Sequence, residues 1–305
     1  MDAGLKLVVG ATGQAGRAVT FALRARGLPT RVLLRPGSDD AVFLAAGCEV
    51  ARGDLSEPAT LIPALDGVTG IAGFVGVGHD LRTRPGAVEA VEIGGNRNLI
   101  AAATAATPTP HFVYLSVLMA ERAPYVKPFA AKLDTEQSLR ESGLPFTVLR
   151  PSNFTQSIVG DFVRNGVASL AGRFPNPTSP ISVTDIGEIA ARCLSELGPS
   201  GEAHDLYGPE TASFPEVIKR WSDARGETVR FRSMPLPAFR VVTRLASPVR
   251  PLLPVIYTLI RSFNEFDWSG DPHQTQALAG RHLETIEAAA RAAGPKPAPL
   301  NRGGI

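Results

Sequence analysis

The heptapeptide GATGQAG, residues 10–16, constrains the fold more than any other feature of this sequence. It follows the largely apolar run Leu5–Val9 and precedes residues 17–26, a helix-like segment that Gly27 can close. Glycines permit a tight turn and let backbone amides approach a phosphate group, and a helix N-terminus adds about half a positive charge. The order of strand, glycine-rich turn and helix therefore predicts a dinucleotide site, and the alternative is a turn without function.

Short β-branched runs alternate with alanine-rich helical segments in the first half of the chain, as is typical of a parallel sheet covered by helices. Strands are predicted near residues 5–10, 30–34, 48–51, 70–75, 111–116 and 146–150. Helices are predicted near residues 15–26, 38–46, 58–65, 85–105 and 129–142. Gly27, Gly47 and Gly143 follow helix ends, where a left-handed cap is often required, and Gly67 has a similar place. The predicted fold class is α/β, with a doubly wound parallel Rossmann sheet.

After Arg150 and Pro151 the alternation becomes irregular. Residues 181–197 predict a short strand and then an amphipathic helix whose N-cap is Thr184 or Asp185. Residues 214–226 predict another helix, before a strand-like segment at 228–231. We therefore predict a Rossmann dinucleotide-binding core over residues 1–150 and a flexible tail over 294–305. Between them, residues 151–293 complete the core discontinuously and add a smaller, mainly helical substrate lobe.

Composition argues against several classes of function. The 31 basic residues are offset by 29 acidic ones, and the net charge of +2 gives no electrostatic reason to expect nucleic-acid binding. Two cysteines do not make a disulfide framework, and the histidines lack metal-ligand spacing, so no metal is expected. The N-terminus lacks a leader pattern, and no apolar run reaches the roughly 20 residues that cross a bilayer. We predict a cytoplasmic protein without stable membrane insertion.

The end of the second predicted strand bears on the choice of cofactor. An acidic residue about 20 positions beyond the glycine motif usually holds the adenosine ribose, but here the strand is followed by Arg35. Asp39 and Asp40 come later, where a helix N-terminus accounts for them. A cation suits the 2′-phosphate, so we predict NADP(H) rather than NAD(H). Arg31 is either a helper or a solvent-facing strand residue.

Further motifs occur in the order and spacing of a known family. They are VLLRPGS, GDLSEPATLIPALDGV, GGNRNLIAAATAA, FVYLSV, KLDTEQSLRESGLPFTVLRPSNF, ISVTDIGEIAA and DLYGPETASFPEV. With GATGQAG, and over about residues 5–290, they make the chain resemble the NmrA-like group of atypical short-chain dehydrogenase/reductases.

The resemblance implies which residues contact the cofactor. The glycine motif would surround the diphosphate, and later segments would lie beside the adenine, flank the adenosine and approach the nicotinamide. In that order the implied residues are Gly10, Thr12, Gly13, Gln14 and Gly16; Asp54 and Leu55; Phe74 and Val75; and Pro151, Asn153 and Phe154. Three alternatives stay open: Asp54 caps a helix or turn, Phe74 packs in the core, and Asn153 caps a turn.

The chain departs from the wider superfamily at the proton donor. Those enzymes commonly place a tyrosine four residues before a lysine. Here the corresponding lysine is Lys132, and the residue four positions earlier is Pro128. Tyr125 is seven residues away, and Tyr114 lies within a predicted strand. Standard tyrosine-dependent alcohol oxidation is therefore not expected.

Lys132 is the candidate for chemistry. In related isoflavone and ether reductases the lysine has such a role, so Lys132 would orient the cofactor near the nicotinamide ribose or, with a pKa lowered by desolvation, act as an acid or base. The alternative is a surface lysine paired with Glu136 at i,i+4, in the less favourable orientation. His79 and Asp80 are a further candidate pair for proton relay.

Two functions from different classes remain open at this stage. The first is an NADPH-dependent reductase of a small apolar or aromatic, electron-poor substrate of the quinone, enone or ether type. Tyr257, Phe263, Phe266 and Trp268 would line its pocket or form core, and PLLPVIYTLI, residues 251–260, favours a packed lid or pocket wall over membrane contact. The second is a non-catalytic NADP(H) sensor that binds a protein partner. A homodimer is left open.

Overall fold

A seven-stranded parallel sheet forms the centre of the computed structural model, which describes residues 3–76 and 86–294. The strand order is β3-β2-β1-β4-β5-β6-β9, so the order reverses between β1 and β4. The strands of this sheet are β1 (Leu5–Val9), β2 (Thr30–Leu34), β3 (Glu49–Arg52), β4 (Val68–Gly73), β5 (His111–Leu115), β6 (Phe146–Pro151) and β9 (Ala203–Leu206). The reversal is the switch point at which ligands bind in open α/β sheets.

Helices cover both faces of the sheet and make up most of the C-terminal region. They are α1 (Gln14–Ala25), α2 (Ala41–Ala45), α3 (Leu61–Ala64), α4 (Asn96–Thr104), α5 (Lys127–Ser142), α6 (Thr155–Phe162), α7 (Val183–Arg192), α8 (Phe214–Ala224), α9 (Leu236–Ala246), α10 (Leu253–Glu265), α11 (His273–Ala279) and α12 (Ile286–Ala292). A π-helical segment, Val88–Gly95, leads into α4, and another, Cys193–Leu197, extends α7. A short 3₁₀ turn, Pro58–Thr60, leads into α3.

The sheet separates two large apolar clusters. Val8, Val32 and Val113 are buried with α1 and α7 in one cluster. Leu7, Ile71 and Val148 belong to the other, which includes residues of α3, α4 and α5. Alternate residues of one strand enter different clusters, as the two-residue period of a strand covered on both faces requires.

The predicted fold class and all six predicted strands are confirmed. Sequence reasoning missed the seventh strand, β9, which pairs with β6 in parallel register from Val148↔Ala203 to Pro151↔Leu206. It was also wrong about the cap of α7, because the Oγ of Ser182 accepts the hydrogen bond from the Thr184 amide at 3.1 Å. The left-handed conformations of Gly27, Gly47, Gly67 and Gly143 are confirmed.

A second, three-stranded sheet lies in the C-terminal region. It has the order β10-β8-β7 and consists of β7 (Val163–Arg164), β8 (Val167–Ala171) and β10 (Arg230–Met234). An aromatic core joins the helices around it, with the rings of Phe174 and Phe214 4.9 Å apart and those of Phe214 and Phe263 5.1 Å apart. Within the described ranges, the structure has no helix that is both long and apolar enough to cross a bilayer.

Candidate functional site

The glycine motif forms a tight turn between β1 and α1. Gly10 has φ +85°, and a Cβ placed on it would lie 2.4 Å from the carbonyl oxygen of Phe74. A Cβ on Gly16 would lie 2.1 Å from the carbonyl oxygen of Gly10. The amide of Gly13 closes the turn by donating to the Gly10 carbonyl at 3.0 Å. Two of the predicted glycines are therefore required by close backbone packing, and the turn brings the start of α1 against the end of β4.

The N-terminus of α1 is open to solvent and suited to an anion. Its N-cap, Gly13, provides no side-chain cap, and the first turn contains no acidic residue. Thr12, Gly13 and Gln14 are exposed, whereas Ala15 and Gly16 are buried behind them. The first amides of a helix have no partner within the helix, so here they point toward the position where a phosphate would lie.

Arg35 lies at the carboxyl end of β2, on a loop that a second arginine holds in place. Arg52, at the end of β3, donates to the carbonyl oxygens of Ser38 at 2.8 Å and of Arg35 at 3.4 Å. It also pairs with the Asp40 carboxylate. The side chain of Arg35 is exposed, and within the described ranges it forms no ion pair or hydrogen bond. Sequence reasoning missed Arg52, since nothing local marks it as a partner of residues 35–40.

Arg31 and Arg17 are two other cations near the Arg35 loop. Arg31 pairs with Glu49 at 2.8 Å and donates to the carbonyls of Ala64 and Asp66, so its guanidinium is already bonded within the protein, whereas a role as helper stays a prediction. Arg17, in the first half of α1, lies 6.0 Å from the centre of the Phe43 ring on α2. This places a second cation between the glycine motif and the helix that follows the Arg35 loop.

The acidic residues near this loop cap turns. Asp39 accepts from the Ala41 amide at 3.0 Å, at the start of α2, as predicted. Asp54 accepts from both the amide and the hydroxyl of Ser56, at 2.8 and 2.7 Å, which agrees with the turn-cap alternative, and its predicted place beside the adenine stays a prediction. Leu55 packs against Gly95, where a Cβ would meet its side chain at 2.9 Å.

Phe74 and Val75 follow β4 and are both buried. Phe74 belongs to the apolar cluster on the α1 and α7 face, in agreement with the core-packing alternative, and its backbone touches Gly10. Val75 belongs to the cluster on the opposite face. These two residues therefore link the end of β4 to the glycine turn through backbone contacts.

Lys132 on α5 joins three elements around the end of β4. Its Nζ donates to the carbonyl oxygen of Val75 at 2.7 Å and lies 3.6 Å from Oε2 of Glu92. The same ammonium lies 5.1 Å from the centre of the Tyr114 ring, within cation–π range. The side chains of Lys132 and Glu92 are 12% and 3% exposed. The alternative of a surface lysine paired with Glu136 is therefore wrong.

The surroundings of Lys132 favour its charged form. Burial lowers the pKa of the ammonium, but the Glu92 carboxylate and the Tyr114 phenol raise it by more, and the net direction is upward. The lowered pKa expected from desolvation alone is not found. Lys132 is thus a fixed positive charge at neutral pH, suited to holding the end of β4 and a nearby ligand oxygen.

Glu92 lies in the π-helical segment before α4, and its backbone carbonyl oxygen accepts two side-chain hydrogen bonds. It accepts from the Asn96 side-chain amide at 2.8 Å and from the Thr135 hydroxyl at 3.2 Å. Single π-helical turns inside helices are frequent at functional sites. This one supplies the carboxylate of the Lys132 pair.

Neither nearby tyrosine is placed as a proton donor. Tyr114 is fully buried in β5, and burial raises the pKa of its phenol. The hydroxyl of Tyr125 donates to Glu265 at 2.7 Å; burial, followed by this bond, raises its pKa to about 12. Pro128 lies in the first turn of α5, where proline suits the helix start.

A second buried charge network lies one turn further along α5. Glu136 accepts from Arg150 at 2.9 and 2.6 Å and from the Ser116 hydroxyl at 2.6 Å. Burial raises the pKa of Glu136, but hydrogen bonds from Arg150 and Ser116, with one from Arg140, lower it by more, so it stays a carboxylate. Sequence reasoning missed this network because its members lie on β5, β6 and α5.

The segment after β6 is held by hydrogen bonds to the C-terminal region. Ser152 Oγ donates to the Trp268 carbonyl at 2.9 Å, and the side-chain amide of Asn153 donates to Thr178 Oγ1 at 3.0 Å. Phe154 forms an isolated β-bridge with Ile181. The loop after β5 lies alongside, since the Leu118 amide donates to the Pro151 carbonyl at 3.0 Å.

The predicted aromatic set is divided between two places. Trp268 is 1% exposed and packs edge-on against Phe129 and Phe263, so these rings are core. Tyr257 lies instead against Phe239, where α10 meets α9. His79 and Asp80 lie outside the described residues, and within those residues no metal-binding group of side chains occurs.

A parallel sheet in this strand order, with an open helix N-terminus at its switch point, defines a Rossmann-type dinucleotide-binding protein. The sequence pattern of the NmrA-like family matches residues 4–290, and the chain belongs to that family. The family resemblance carried by the motifs is therefore confirmed.

Similar proteins include reductases and an assembly factor. The photosystem II assembly factor Ycf39 of Cyanophora paradoxa is 28% identical over 244 residues, which are 79% of this chain and 74% of the relative. The (4-alkanoyl-5-oxo-2,5-dihydrofuran-3-yl)methyl phosphate reductase of Streptomyces griseus is 30% identical over 246 residues, 79% and 81% of the two chains.

Among solved structures, an NADPH-dependent quinone oxidoreductase of Escherichia coli complexed with NADPH has a TM-score of 0.72 and 21% identity, and the match covers 94% of this chain and 98% of that one. This likeness shows a shared fold. The NADPH in that complex agrees with the cofactor predicted from the glycine motif and Arg35.

Proposed function

We propose that this protein is an NADPH-dependent reductase of small, apolar or aromatic, electron-poor molecules of the quinone, enone or ether type, and that it works without the usual tyrosine. The observation that carries the proposal is the order of groups along one edge of the sheet. Arg35 follows β2, the glycine turn follows β1, Lys132 lies at the end of β4, and Pro151 ends β6. Neighbouring parallel strands end at the same edge, so these groups form one row.

The row fits the parts of NADP(H) in sequence. Arg35, without a partner in the described ranges, would hold the 2′-phosphate, and Arg17 is a second cation on the same side. The uncapped amides of α1 would hold the diphosphate. The turn is so compact that a Cβ at Gly10 or Gly16 would clash with backbone atoms. Asn153 and Phe154 would approach the nicotinamide.

When bound, the nicotinamide would supply the hydride. The residues of the chain would then have to orient the cofactor and the substrate, shield them from water and neutralise developing charge. Lys132 keeps its proton, because Glu92 and Tyr114 raise its pKa. Its positive charge would orient a ribose or substrate oxygen and stabilise negative charge that develops on reduction. Since Lys132 holds its proton tightly, solvent water would deliver the final proton.

The chemistry of the relatives supports this substrate class. The Streptomyces griseus relative acts on an oxo-dihydrofuran, and the Escherichia coli neighbour is named for quinones. Both substrate types accept a hydride at an electron-poor carbon.

The test is loss of NADPH absorbance with a panel of quinones, enones and aryl ethers. Lys132→Ala should lower kcat/KM by about tenfold or more, because it removes a buried charge from the edge of the sheet. Lys127→Ala is the matched control, because Lys127 lies on the same helix, is exposed and, among the described residues, pairs only with Glu89, at 3.1 Å. If the Lys132→Ala variant turns over substrate as fast as the unchanged protein, the proposed role of Lys132 is wrong.

A second candidate function is a non-catalytic NADP(H) sensor that binds a protein partner. It is favoured by the absence of a placed donor within the described residues, since Tyr114 is buried, Tyr125 is bonded to Glu265, and Ser116 is bonded to Glu136. Tight NADPH binding without turnover on the whole panel would support the sensor. It should then show different amide hydrogen exchange with NADPH and with NADP⁺.

A further inference from the structure

The surface formed by β10 and α9, residues 230–250, has an unusual distribution of charge. Between Glu227 and Glu265 the sequence contains six arginines and no aspartate, glutamate or lysine. The whole chain has nearly equal numbers of basic and acidic residues. A run of this length without one carboxylate concentrates positive charge on one part of the chain.

The five arginines of this surface have no side-chain partner among the residues that the structure describes. Arg230, Arg232, Arg240, Arg244 and Arg250 are all exposed, and within the described ranges none donates a side-chain hydrogen bond or forms an ion pair. The sixth, Arg261 on α10, pairs with Glu265 at 2.6 Å. Elsewhere arginines are commonly held by carboxylates, as Arg150, Arg220 and Arg225 are. Five exposed guanidinium groups within residues 230–250 are therefore available to anions.

The same surface exposes large apolar side chains. Val241 and Leu245 on α9 are 57% and 77% exposed, and Val249 after the helix is 82% exposed. Of the residues in α9, only Thr243 is fully buried. Isolated exposed apolar residues are ordinary, but here they share one helix with Arg240 and Arg244. A cleft of about 530 Å³ beside Tyr257 is lined by these arginines and Val241.

We propose that the β10–α9 surface docks on an anionic lipid bilayer. A helix of this kind lies in the membrane interface, with apolar side chains among the acyl chains and arginines at the phosphates. Guanidinium groups bind phosphate oxygens through two parallel hydrogen bonds. The arginines and the exposed apolar side chains would therefore both find partners in the interfacial region of the bilayer. α9 is too short to cross a bilayer, and the docking is peripheral.

Other occupants fit these residues less well. In a twofold-symmetric contact between copies, the surface would face itself and place arginine against arginine, without a carboxylate on residues 228–264 to compensate. A nucleic acid would bind the arginines but leave Val241, Leu245 and Val249 without apolar partners. An acidic protein is the remaining competitor, and the experiment separates it from lipid.

The experiment measures binding of the full chain to phosphatidylcholine vesicles with and without one third phosphatidylglycerol. We expect binding to the anionic vesicles only, weakened at high salt, because the screening length falls from about 10 Å at 0.1 M to about 3 Å at 1 M. Leu245→Glu and the double change Arg240→Glu with Arg244→Glu should each weaken it about tenfold or more. Equal binding to neutral vesicles, or no binding to either kind, would overturn the proposal.

Matched controls lie on other elements, α3 and α8. Ile62→Glu changes another exposed apolar residue, 69% exposed, and Lys219→Glu reverses another exposed cation. Both should bind vesicles as the unchanged protein does, and equal losses in all variants would overturn the proposal. Binding to polyglutamate or self-association through this surface, without vesicle binding, would assign it to an acidic protein or a second copy. The comparison of the two vesicle types and the salt series need no variant, so they test the proposal even where a variant fails to fold.

Discussion

We propose that Arg35 sets the cofactor preference of this protein. Its neighbours Arg31 and Arg52 are held by Glu49 and Asp40, so their charges are already compensated. Arg35 has no such compensation within the described ranges, and the loop that carries it is fixed by Arg52. Because Arg52 already holds the loop backbone, an anion would have only the Arg35 side chain to order, and the charge of that side chain favours recognition of a 2′-phosphate over a hydroxyl.

Arg35→Asp should therefore weaken NADPH binding by about 30-fold or more, because a charge-assisted hydrogen bond is lost and a like charge faces the 2′-phosphate. NADH binding should change by about threefold at most. Titration of each cofactor by fluorescence measures both constants. Arg291→Asp, an exposed arginine on α12, is the control and should change neither. Equal losses for the two cofactors would contradict the assignment.

At the scale of elements, two kinds of interaction hold the start of α7, an N-cap hydrogen bond and a buried carboxyl group. Ser182 caps the helix, and Asp185, fully buried in the first turn, accepts from the Glu284 amide at 2.9 Å and pairs with Arg281 at 2.7 Å. Burial raises the pKa of Asp185 to about 6, although the Glu284 amide and Arg281 act in the opposite direction. The carboxyl group thus ties α7 to the segment before α12 while remaining poorly solvated.

This raised pKa predicts a pH dependence of stability. The unfolded chain releases the Asp185 proton near pH 4 and the folded chain near pH 6, so ionisation costs the folded state up to about 3 kcal/mol as the pH rises between these values. Asp185→Asn removes this titration, and its free energy of unfolding should therefore rise relative to the unchanged protein between about pH 4 and pH 7. Urea unfolding across this range measures the difference.

Asp223→Asn on α8 is the control for that series, since Asp223 is exposed and, within the described part of the chain, forms an ion pair only with Lys219. Its difference from the unchanged protein should vary little with pH. Parallel pH profiles for Asp185→Asn and the unchanged protein would show that the Asp185 carboxyl group does not titrate as described.

Sequence predicted those elements whose signals are local. The strands of the first half have apolar runs, and glycine is the residue that positive φ favours at helix ends, so both were found. β9, with the sequence AHDL, lacks an apolar run and becomes a strand by pairing with β6. The partners of Lys132 and Glu136 lie 57 and 14 residues away at Val75 and Arg150. Spacing along one helix cannot reveal such partners.

At the scale of the whole molecule, Trp268 connects the C-terminal region to the sheet. Its carbonyl accepts from Ser152 after β6, and its amide donates to the Pro177 carbonyl at 3.0 Å. Its ring packs edge-on against Phe129 of α5 at 5.8 Å and Phe263 of α10 at 5.4 Å. One buried side chain thereby contacts the helix that carries Lys132 and a helix of the C-terminal region.

Trp268→Ala should lower the free energy of unfolding by about 3–5 kcal/mol, because it leaves a large cavity among packed rings. Chemical denaturation followed by circular dichroism measures the change. Leu245→Ala, at an exposed position on α9, should have an effect of at most about 0.5 kcal/mol. A loss at Trp268 as small as that of Leu245→Ala would show that the two regions do not depend on this contact.

The two ion pairs of α5 have a consequence for how this chain can change over evolutionary time. Lys132 and Glu136, one helical turn apart, connect α5 to the ends of β4 and β6 through Val75, Glu92 and Arg150. Pro128, at the position that usually carries the tyrosine, lies in the first turn of α5 and takes no part in these contacts. A lineage built on such a scaffold is free to replace or discard its proton donor while the architecture is inherited intact, so the reaction can diverge faster than the fold.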